Sequence, residues 1–134
     1  MLGRDNPSMP THPPGATVVL VDDDAALRTA LTFMLELDGF RVESFASGEE
    51  LLAGALPHPP TCLVLDHNLS GMTGLDTLLQ LRARGVATPA VLITSHPSLA
   101  VRSTAALVDA VIVEKPLLSD ALKLEIEAAL IRQG

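Results

Sequence analysis

Short apolar runs alternate along the chain with longer segments whose apolar residues recur every three or four positions. The short runs are rich in Val, Ile and Leu and are bounded by turn-forming residues, which is typical of buried strands. They predict five strands, at residues 17–21, 40–45, 61–65, 90–94 and 110–113. Only the second run alternates apolar with polar residues, so we expect it to lie half-exposed at an edge of the sheet.

A segment with helical periodicity follows each predicted strand. The second helix is expected from a capping-box pattern at Ser47 through Leu56, where Pro57 closes it, and the fourth over residues 97–107. Ser119 is predicted to cap the fifth helix. The residues that recur at helical spacing are Leu27, Leu31, Met34 and Leu35 in the first helix, Leu75, Leu78, Leu79 and Arg82 in the third, and Leu122, Ile126, Ala129 and Leu130 in the fifth.

The unbroken alternation of strands and helices predicts an α/β fold with a parallel sheet. Parallel neighbours need right-handed helical crossovers, and these cover both faces of the sheet. We expect a three-layer, doubly wound, five-stranded sheet in the flavodoxin-like order 2-1-3-4-5. Residues 1–15 carry four prolines and little apolar periodicity, so they are predicted to form a flexible extension before a single domain at residues 16–134.

Composition narrows the classes of function. A hydrophobic share of 48% in 134 residues supports a core that needs no disulfide or structural metal. The formal net charge of −7 argues against direct nucleic-acid binding, which uses clustered Lys and Arg. The single cysteine, Cys62, lies in an apolar run and is expected to be a buried, reduced thiol. The sequence has no stretch near the ~20 apolar residues of a membrane span and no apolar signal block, which indicates a cytoplasmic protein without membrane contact.

Polar residues gather where four of the predicted strands end. Asp22 and Asp23 follow the first strand, Asp66 the third, Thr94 ends the fourth and Lys115 follows the fifth. The carboxyl ends of parallel strands share one edge, and the flavodoxin-like order makes these four strands neighbours there. Three carboxylates packed together require a cation, and Mg²⁺ suits oxygen ligands.

A carboxylate nucleophile, a metal ion, a hydroxyl and an ammonium group together suit phosphoryl transfer to an aspartate. The sequence contains no Walker loop, Gly-x-Gly-x-x-Gly motif, esterase elbow or His/Cys metal spacing. Taken singly, each residue has a plainer interpretation, since an Asp after a strand often caps the next helix and a Lys-Pro pair often forms a solvated turn. The joint arrangement on successive strands favours phosphoryl chemistry at Asp66.

Four segments of the chain resemble the receiver domain of two-component response regulators, the CheY-like family. The resemblance covers residues 17–131 and is carried by residues 19–24, 66–76, 91–94 and 113–116. It implies that Asp66 accepts a phosphoryl group from a histidine kinase or a phosphotransfer protein. The resemblance further implies that Mg²⁺ is bound by Asp23, Asp66 and the backbone carbonyl of Asn68, and that Asp22 contributes through a water molecule. It also implies that Thr94 and Lys115 contact the phosphoryl group.

The same resemblance implies a cis peptide bond between Lys115 and Pro116 and a signalling role without substrate turnover. Phosphorylation would switch contacts made by the face of the fourth helix, fifth strand and fifth helix. The implied partners are a downstream target protein or an output domain, and a second copy of the chain in a homodimer through that face.

The chain departs from the family pattern at several positions. Ser70 stands where proline is usual, and Ile112 stands where a switching aromatic is common. The other departures are His67 beside the acceptor, Ser95, Leu117, and a stretch before the fifth strand that is about one residue short. They leave open a phosphorylation-independent interaction scaffold. A hydrolase with an Asp nucleophile is a third alternative, against which Asn68 counts because it stands where a second acid is needed.

Overall fold

Five strands and five helices alternate in the computed structural model, which describes residues 16–58, 61–117 and 120–133. The strands are β1 (Thr17–Val21), β2 (Arg41–Phe45), β3 (Thr61–Asp66), β4 (Ala90–Thr94) and β5 (Ala110–Glu114). The helices are α1 (Ala25–Leu37), α2 (Gly48–Ala53), α3 (Gly74–Ala83), α4 (Leu99–Leu107) and α5 (Ala121–Gln133). The predicted order of elements is therefore confirmed, with most strand boundaries within one residue of the prediction.

The strands form one parallel sheet in the order β2-β1-β3-β4-β5, which confirms the predicted flavodoxin-like topology. Every residue of β1, β3 and β4 is buried, as expected for strands covered on both faces. β2 forms an edge, and none of its five residues is fully buried. The alternating pattern of β2 thus predicted both its place and its exposure.

Two apolar clusters fill the spaces on either side of the sheet. Residues that alternate along β1 belong to opposite clusters, with Val18 and Leu20 on one side and Val19 and Val21 on the other. The helices α1 and α5 cover the first side, and α2 and α3 cover the second. All four residues predicted for the inward stripe of α5 are buried. In the other stripes, Leu27 and Arg82 are half-buried, whereas Met34 is 45% exposed and Leu79 is 39% exposed, and Leu81 is buried on α3 instead.

The end of α2 differs from the prediction. This helix ends at Ala53 and not at Leu56, because Gly54 leaves the helical conformation with φ −97° and ψ 177°. Glycine is a poor helix former, and here the Gly54 amide closes the last turn by donating to the Leu51 carbonyl at 3.1 Å. The residue that ends the helix, Gly54, therefore lies three positions before Pro57.

Side-chain caps fix the starts of the helices. Ser47, Thr73 and Ser98 each accept a hydrogen bond from a backbone amide three residues later. The cap at Ser98 starts α4 at Leu99, later than the predicted residue 97. The predicted extension at residues 1–15 and the predicted cap at Ser119 lie outside the described residues.

The side chain of Arg82 joins two turns at the amino-terminal edge of the sheet. Its Nε donates to the Val108 carbonyl at 2.9 Å, and its Nη1 donates to the carbonyls of Val86 and Thr88 at 3.0 and 2.7 Å. Burial of the guanidinium lowers the pKa of Arg82. This residue was predicted only as a member of the α3 stripe, but it links the α3–β4 connection to the α4–β5 turn.

None of the described helices is long and apolar enough to cross a membrane.

Candidate functional site

The predicted site residues lie at the carboxyl-terminal edge of the sheet, as the topology requires. Asp66 is the last residue of β3 and Thr94 the last residue of β4. Asp22 directly follows β1, and Lys115 directly follows β5. Asp22, Asp66 and Thr94 are buried, with 2%, 5% and 2% of their surface exposed. Two carboxylates and a hydroxyl are therefore held at low exposure at one edge.

The carboxylate of Asp66 is paired with Lys115. The ammonium Nζ donates to Oδ2 at 3.0 Å and to Oδ1 at 3.2 Å, and the backbone amide of Asn68 also donates to Oδ1 at 2.9 Å. The Lys115 side chain is 26% exposed, whereas that of Asp66 is 7% exposed. Three hydrogen bonds from two donor groups thus compensate a buried charge that would otherwise be costly.

Asp22 is the second buried carboxylate. Burial raises its pKa, a hydrogen bond from the Asp24 amide to Oδ1 at 2.9 Å lowers it, and the nearby charge of Asp66 raises it again, with a net increase. The backbone carbonyl of Asp22 accepts from Nη1 of Arg28 at 2.6 Å. The two buried carboxylates, Asp22 and Asp66, are therefore close enough to influence each other.

Asp23 and Asp24 are exposed and have different partners. Asp24 caps α1, since its Oδ1 accepts from the amides of Ala26 and Leu27 at 3.0 and 3.1 Å. Asp23 is bound by Ser70, whose amide and hydroxyl both donate to Oδ2, at 2.9 and 2.8 Å. These two bonds lower the pKa of Asp23. The contact was not predicted, although the serine in place of proline was visible in the sequence and supplies both of the donors.

The donor set fits a hard divalent cation in its chemistry. The acids at the edge supply only oxygen, and a cation would offset both the burial and the repulsion from Asp66 that raise the pKa of Asp22. Within the described ranges, however, no three His, Cys, Asp or Glu side chains are gathered closely enough to hold a metal ion. The structure therefore brings Asp22 and Asp66 together, while the carboxylate of Asp23 is turned to Ser70.

Thr94 and Lys115 are linked through the main chain. The Lys115 amide donates to the Thr94 carbonyl at 2.9 Å, and the Thr94 hydroxyl makes a long bond of 3.5 Å to the Ser95 carbonyl. The peptide bond between Lys115 and Pro116 is cis, as the resemblance implied.

His67 follows Asp66, and its backbone amide donates to the Ile93 carbonyl at 2.8 Å, which continues the pairing of β3 with β4. The Nδ1 atom of His67 is buried and has no hydrogen-bond partner among the described residues.

A groove that the sequence did not reveal opens beside Lys115. It has a volume of about 600 Å³ and is lined mainly by apolar residues of α1, such as Leu27 and Met34, together with Pro116 and Leu117. Lys115 itself is among the lining residues, so the groove adjoins the site on the side that faces α1.

The strand order and the polar edge together define the CheY-like class of doubly wound domains. The chain belongs to the response regulator receiver domain family, whose model matches residues 18–127. Receiver domains of this family are parts of two-component systems, in which they interact with histidine kinases and output domains.

Curated relatives share this domain. The transcriptional regulatory protein FixJ of Bradyrhizobium diazoefficiens is 34% identical over 119 residues, which cover 87% of this chain and 57% of FixJ. Nodulation protein W of the same organism is 37% identical over 81 residues, which cover 60% of this chain and 36% of that protein. The chain thus spans only part of the length of these relatives.

Solved structures agree with this assignment. FixJ-N matches with a TM-score of 0.78 and 32% identity, covering 87% of this chain and 94% of that chain. The chemotaxis protein CheY4 of Vibrio cholerae matches with a TM-score of 0.77 and 27% identity, covering 86% and 98% of the two chains. These similarities confirm the fold and the family that the sequence motifs indicated.

Proposed function

We propose that this receiver domain accepts a phosphoryl group on Asp66, from a histidine kinase or a phosphotransfer protein, in a reaction that requires Mg²⁺. The observation that carries the proposal is the buried carboxylate of Asp66 with an ammonium group on both of its oxygens. A carboxylate so placed is presented at the sheet edge by fixed hydrogen bonds, and carboxylate oxygens act as nucleophiles in reactions of this kind.

The bonds that form and break in the transfer belong to the phosphodonor and to Asp66. A carboxylate oxygen of Asp66 attacks the phosphorus of a phosphohistidine, and an O–P bond forms as the P–N bond breaks. The electron pair of the broken bond goes to the imidazole nitrogen of the donor. The product is an acyl phosphate, which brings roughly −1.5 to −2 charges to the site.

The residues that would hold Mg²⁺ are Asp23, Asp66 and the backbone carbonyl of Asn68, with Asp22 acting through a water molecule. When bound, the ion neutralises charge on the phosphoryl oxygens. Lys115, already within hydrogen-bond distance of Asp66, supplies a second positive charge. The weakly bonded hydroxyl of Thr94 is able to turn towards a phosphoryl oxygen.

The signal would leave the site through β5 and α4. Lys115 follows β5 directly, and Arg102 on α4 forms an ion pair with Glu114 at the end of β5, at 2.8 Å. We propose that phosphorylation shifts a two-state equilibrium in the face of α4, β5 and α5, which contacts a target protein, an output domain or a second copy. The domain is then a phosphoacceptor that assists its own phosphorylation and dephosphorylation, and not a turnover enzyme.

Intact mass spectrometry tests the proposal. Incubation with acetyl phosphate and Mg²⁺ should add the mass of one phosphoryl group to the wild type and none to Asp66→Asn. Asp76→Asn removes an exposed acid from the first turn of α3 and is the matched control that should still be phosphorylated. If the wild type gains no phosphoryl mass, or if Asp66→Asn gains the same mass, the phosphorylation-independent scaffold becomes the better description. Turnover of a phosphoester would instead favour the hydrolase.

A further inference from the structure

We propose that Ser70 is a positioning residue whose hydrogen bonds to Asp23 compete with Mg²⁺ for that carboxylate and thereby lower the affinity of this domain for the ion. The inference rests on the proposed phosphoacceptor function, in which Asp23 is a metal ligand. It concerns a residue at which this chain departs from the family pattern, so it distinguishes this receiver from others.

The contact between Ser70 and Asp23 consists of two hydrogen bonds to one oxygen. The Ser70 amide donates to Oδ2 at 2.9 Å and the Ser70 hydroxyl donates to the same atom at 2.8 Å. Both bonds have an ionised acceptor, which makes them stronger than bonds between neutral groups. Asp23 is otherwise exposed, so these bonds determine where its carboxylate lies. A proline at position 70 would supply neither donor, because it lacks both the amide hydrogen and the hydroxyl.

The contact competes with metal binding because both bonds engage a carboxylate oxygen of Asp23 that an ion would otherwise contact. Besides burial, the charges of Asp66 and Asp23 raise the pKa of Asp22, so the three acids lie near one another, yet no group of three such side chains within the described ranges is gathered closely enough to hold an ion. Of these three carboxylates, Asp23 is the one that Ser70 binds. Asn68, whose carbonyl is another proposed ligand, lies in the same loop two residues before Ser70, so the contact also restrains the loop that presents it.

The size of the effect follows from the bonds that a metal ion must displace. Each hydrogen bond of this kind changes an equilibrium constant by about two- to tenfold at an exposed site. Loss of the hydroxyl bond alone should therefore tighten Mg²⁺ binding by about two- to tenfold, and loss of both bonds should tighten it further.

Isothermal titration calorimetry with MgCl₂ and no phosphodonor measures this affinity directly. Ser70→Ala, which keeps the amide donor, should bind Mg²⁺ about two- to tenfold more tightly than the wild type, and Ser70→Pro more tightly still. Ser70→Thr retains both donors and should bind as the wild type does. Ser103→Ala makes the same change at an exposed position of α4 and should leave the affinity unaltered. In the wild type, Mg²⁺ should also shift the amide resonance of Ser70, as its bond to Asp23 breaks.

The possible results separate this inference from the proposed function. Equal affinities for the wild type and Ser70→Ala overturn the inference while the proposed metal site stands. Weaker binding by Ser70→Ala also overturns it, since Ser70 would then help to assemble the site. If neither protein binds Mg²⁺, the metal-dependent function and this inference fail together. Circular dichroism checks the fold of each variant, and Ser70→Ala alone decides the question if the proline variant does not fold.

Discussion

The pairing of Lys115 with Asp66 makes a quantitative prediction about stability. Lys115→Met keeps a side chain of similar length but removes the ammonium that donates to both oxygens of Asp66. Among the described residues the carboxylate then keeps only the Asn68 amide as its donor, and it stays buried next to the charge of Asp22. The variant should therefore be less stable than the wild type in a buffer that contains a chelator.

The expected loss comes from the hydrogen bonds and from burial. Hydrogen bonds to a charged group contribute about 1.5–3 kcal/mol, so we expect Lys115→Met to lose about 2 kcal/mol. Asp66→Asn should be close to neutral alone, because the amide oxygen at position 66 still accepts from the Asn68 amide and from Lys115, and the loss of the second lysine bond is offset by the loss of repulsion with Asp22. In the Asp66→Asn background the lysine has no carboxylate to neutralise, and Lys115→Met should cost less than about 1 kcal/mol.

Urea unfolding of the four proteins measures this interaction as a double-mutant cycle. The chain has no Trp or Tyr, so far-ultraviolet circular dichroism is the appropriate signal. A loss of about 2 kcal/mol lowers the midpoint by about 1 M urea for a domain of this size. The coupling energy should be about 1–2 kcal/mol. Additive effects, with a coupling below about 0.3 kcal/mol, would refute the view that Lys115 compensates the buried charge of Asp66.

Three further predictions concern burial and close packing. Folding raises the pKa of Asp22, so the charged form of this residue destabilises the metal-free fold at pH values above the usual titration range of an aspartate. Asp22→Asn should therefore raise the melting temperature at neutral pH. This gain should disappear as the pH falls below that titration range. Gly74→Ala would place a methyl group against the backbone carbonyl of Asp66, so it should lower the free energy of unfolding by about 1–3 kcal/mol in the same urea assay. At Gly54, by contrast, the atoms nearest to an added methyl group lie at 3.7 Å, so Gly54→Ala meets no such clash. Burial raises the pKa of the Cys62 thiol to about 12, so a thiol reagent should label it in urea but not in the native protein at pH 8, and rapid native labelling would contradict its burial.

Most of the fold was predictable because it depends on the spacing of apolar and polar residues within short segments of the sequence. The runs that became β1, β3 and β4 are apolar throughout, and their burial on both faces follows from that. The strand order followed from the alternation of elements and from the polar residues at the strand ends. The end of α2 was missed because apolar residues continue to Leu56, whereas the backbone leaves the helix at Gly54. Leu79 was placed on the wrong face because leucines surround most of α3, so spacing alone does not single out one stripe.

The contents of the site were predictable to a smaller extent. The shared edge and the cis peptide bond agree with the prediction, and Lys115 lies beside Asp66 at that edge, where it forms an ion pair with it. The contact between Ser70 and Asp23 was not foreseen, because it joins residues 47 positions apart through an exposed loop, for which periodicity carries no information. The residue types at both positions permit the bond, but only the path of the loop brings them together.

The three hydrogen bonds of Arg82 have a consequence for the lengths of the connections that they join. Surface connections ordinarily tolerate inserted residues, since few contacts depend on their path. Here the carbonyls of Val86, Thr88 and Val108 must all reach one planar guanidinium, so an insertion in either connection displaces at least one acceptor. Length variation among close relatives that retain this arginine should therefore avoid both connections and fall in segments such as residues 54–58, which lie far along the chain from Arg82.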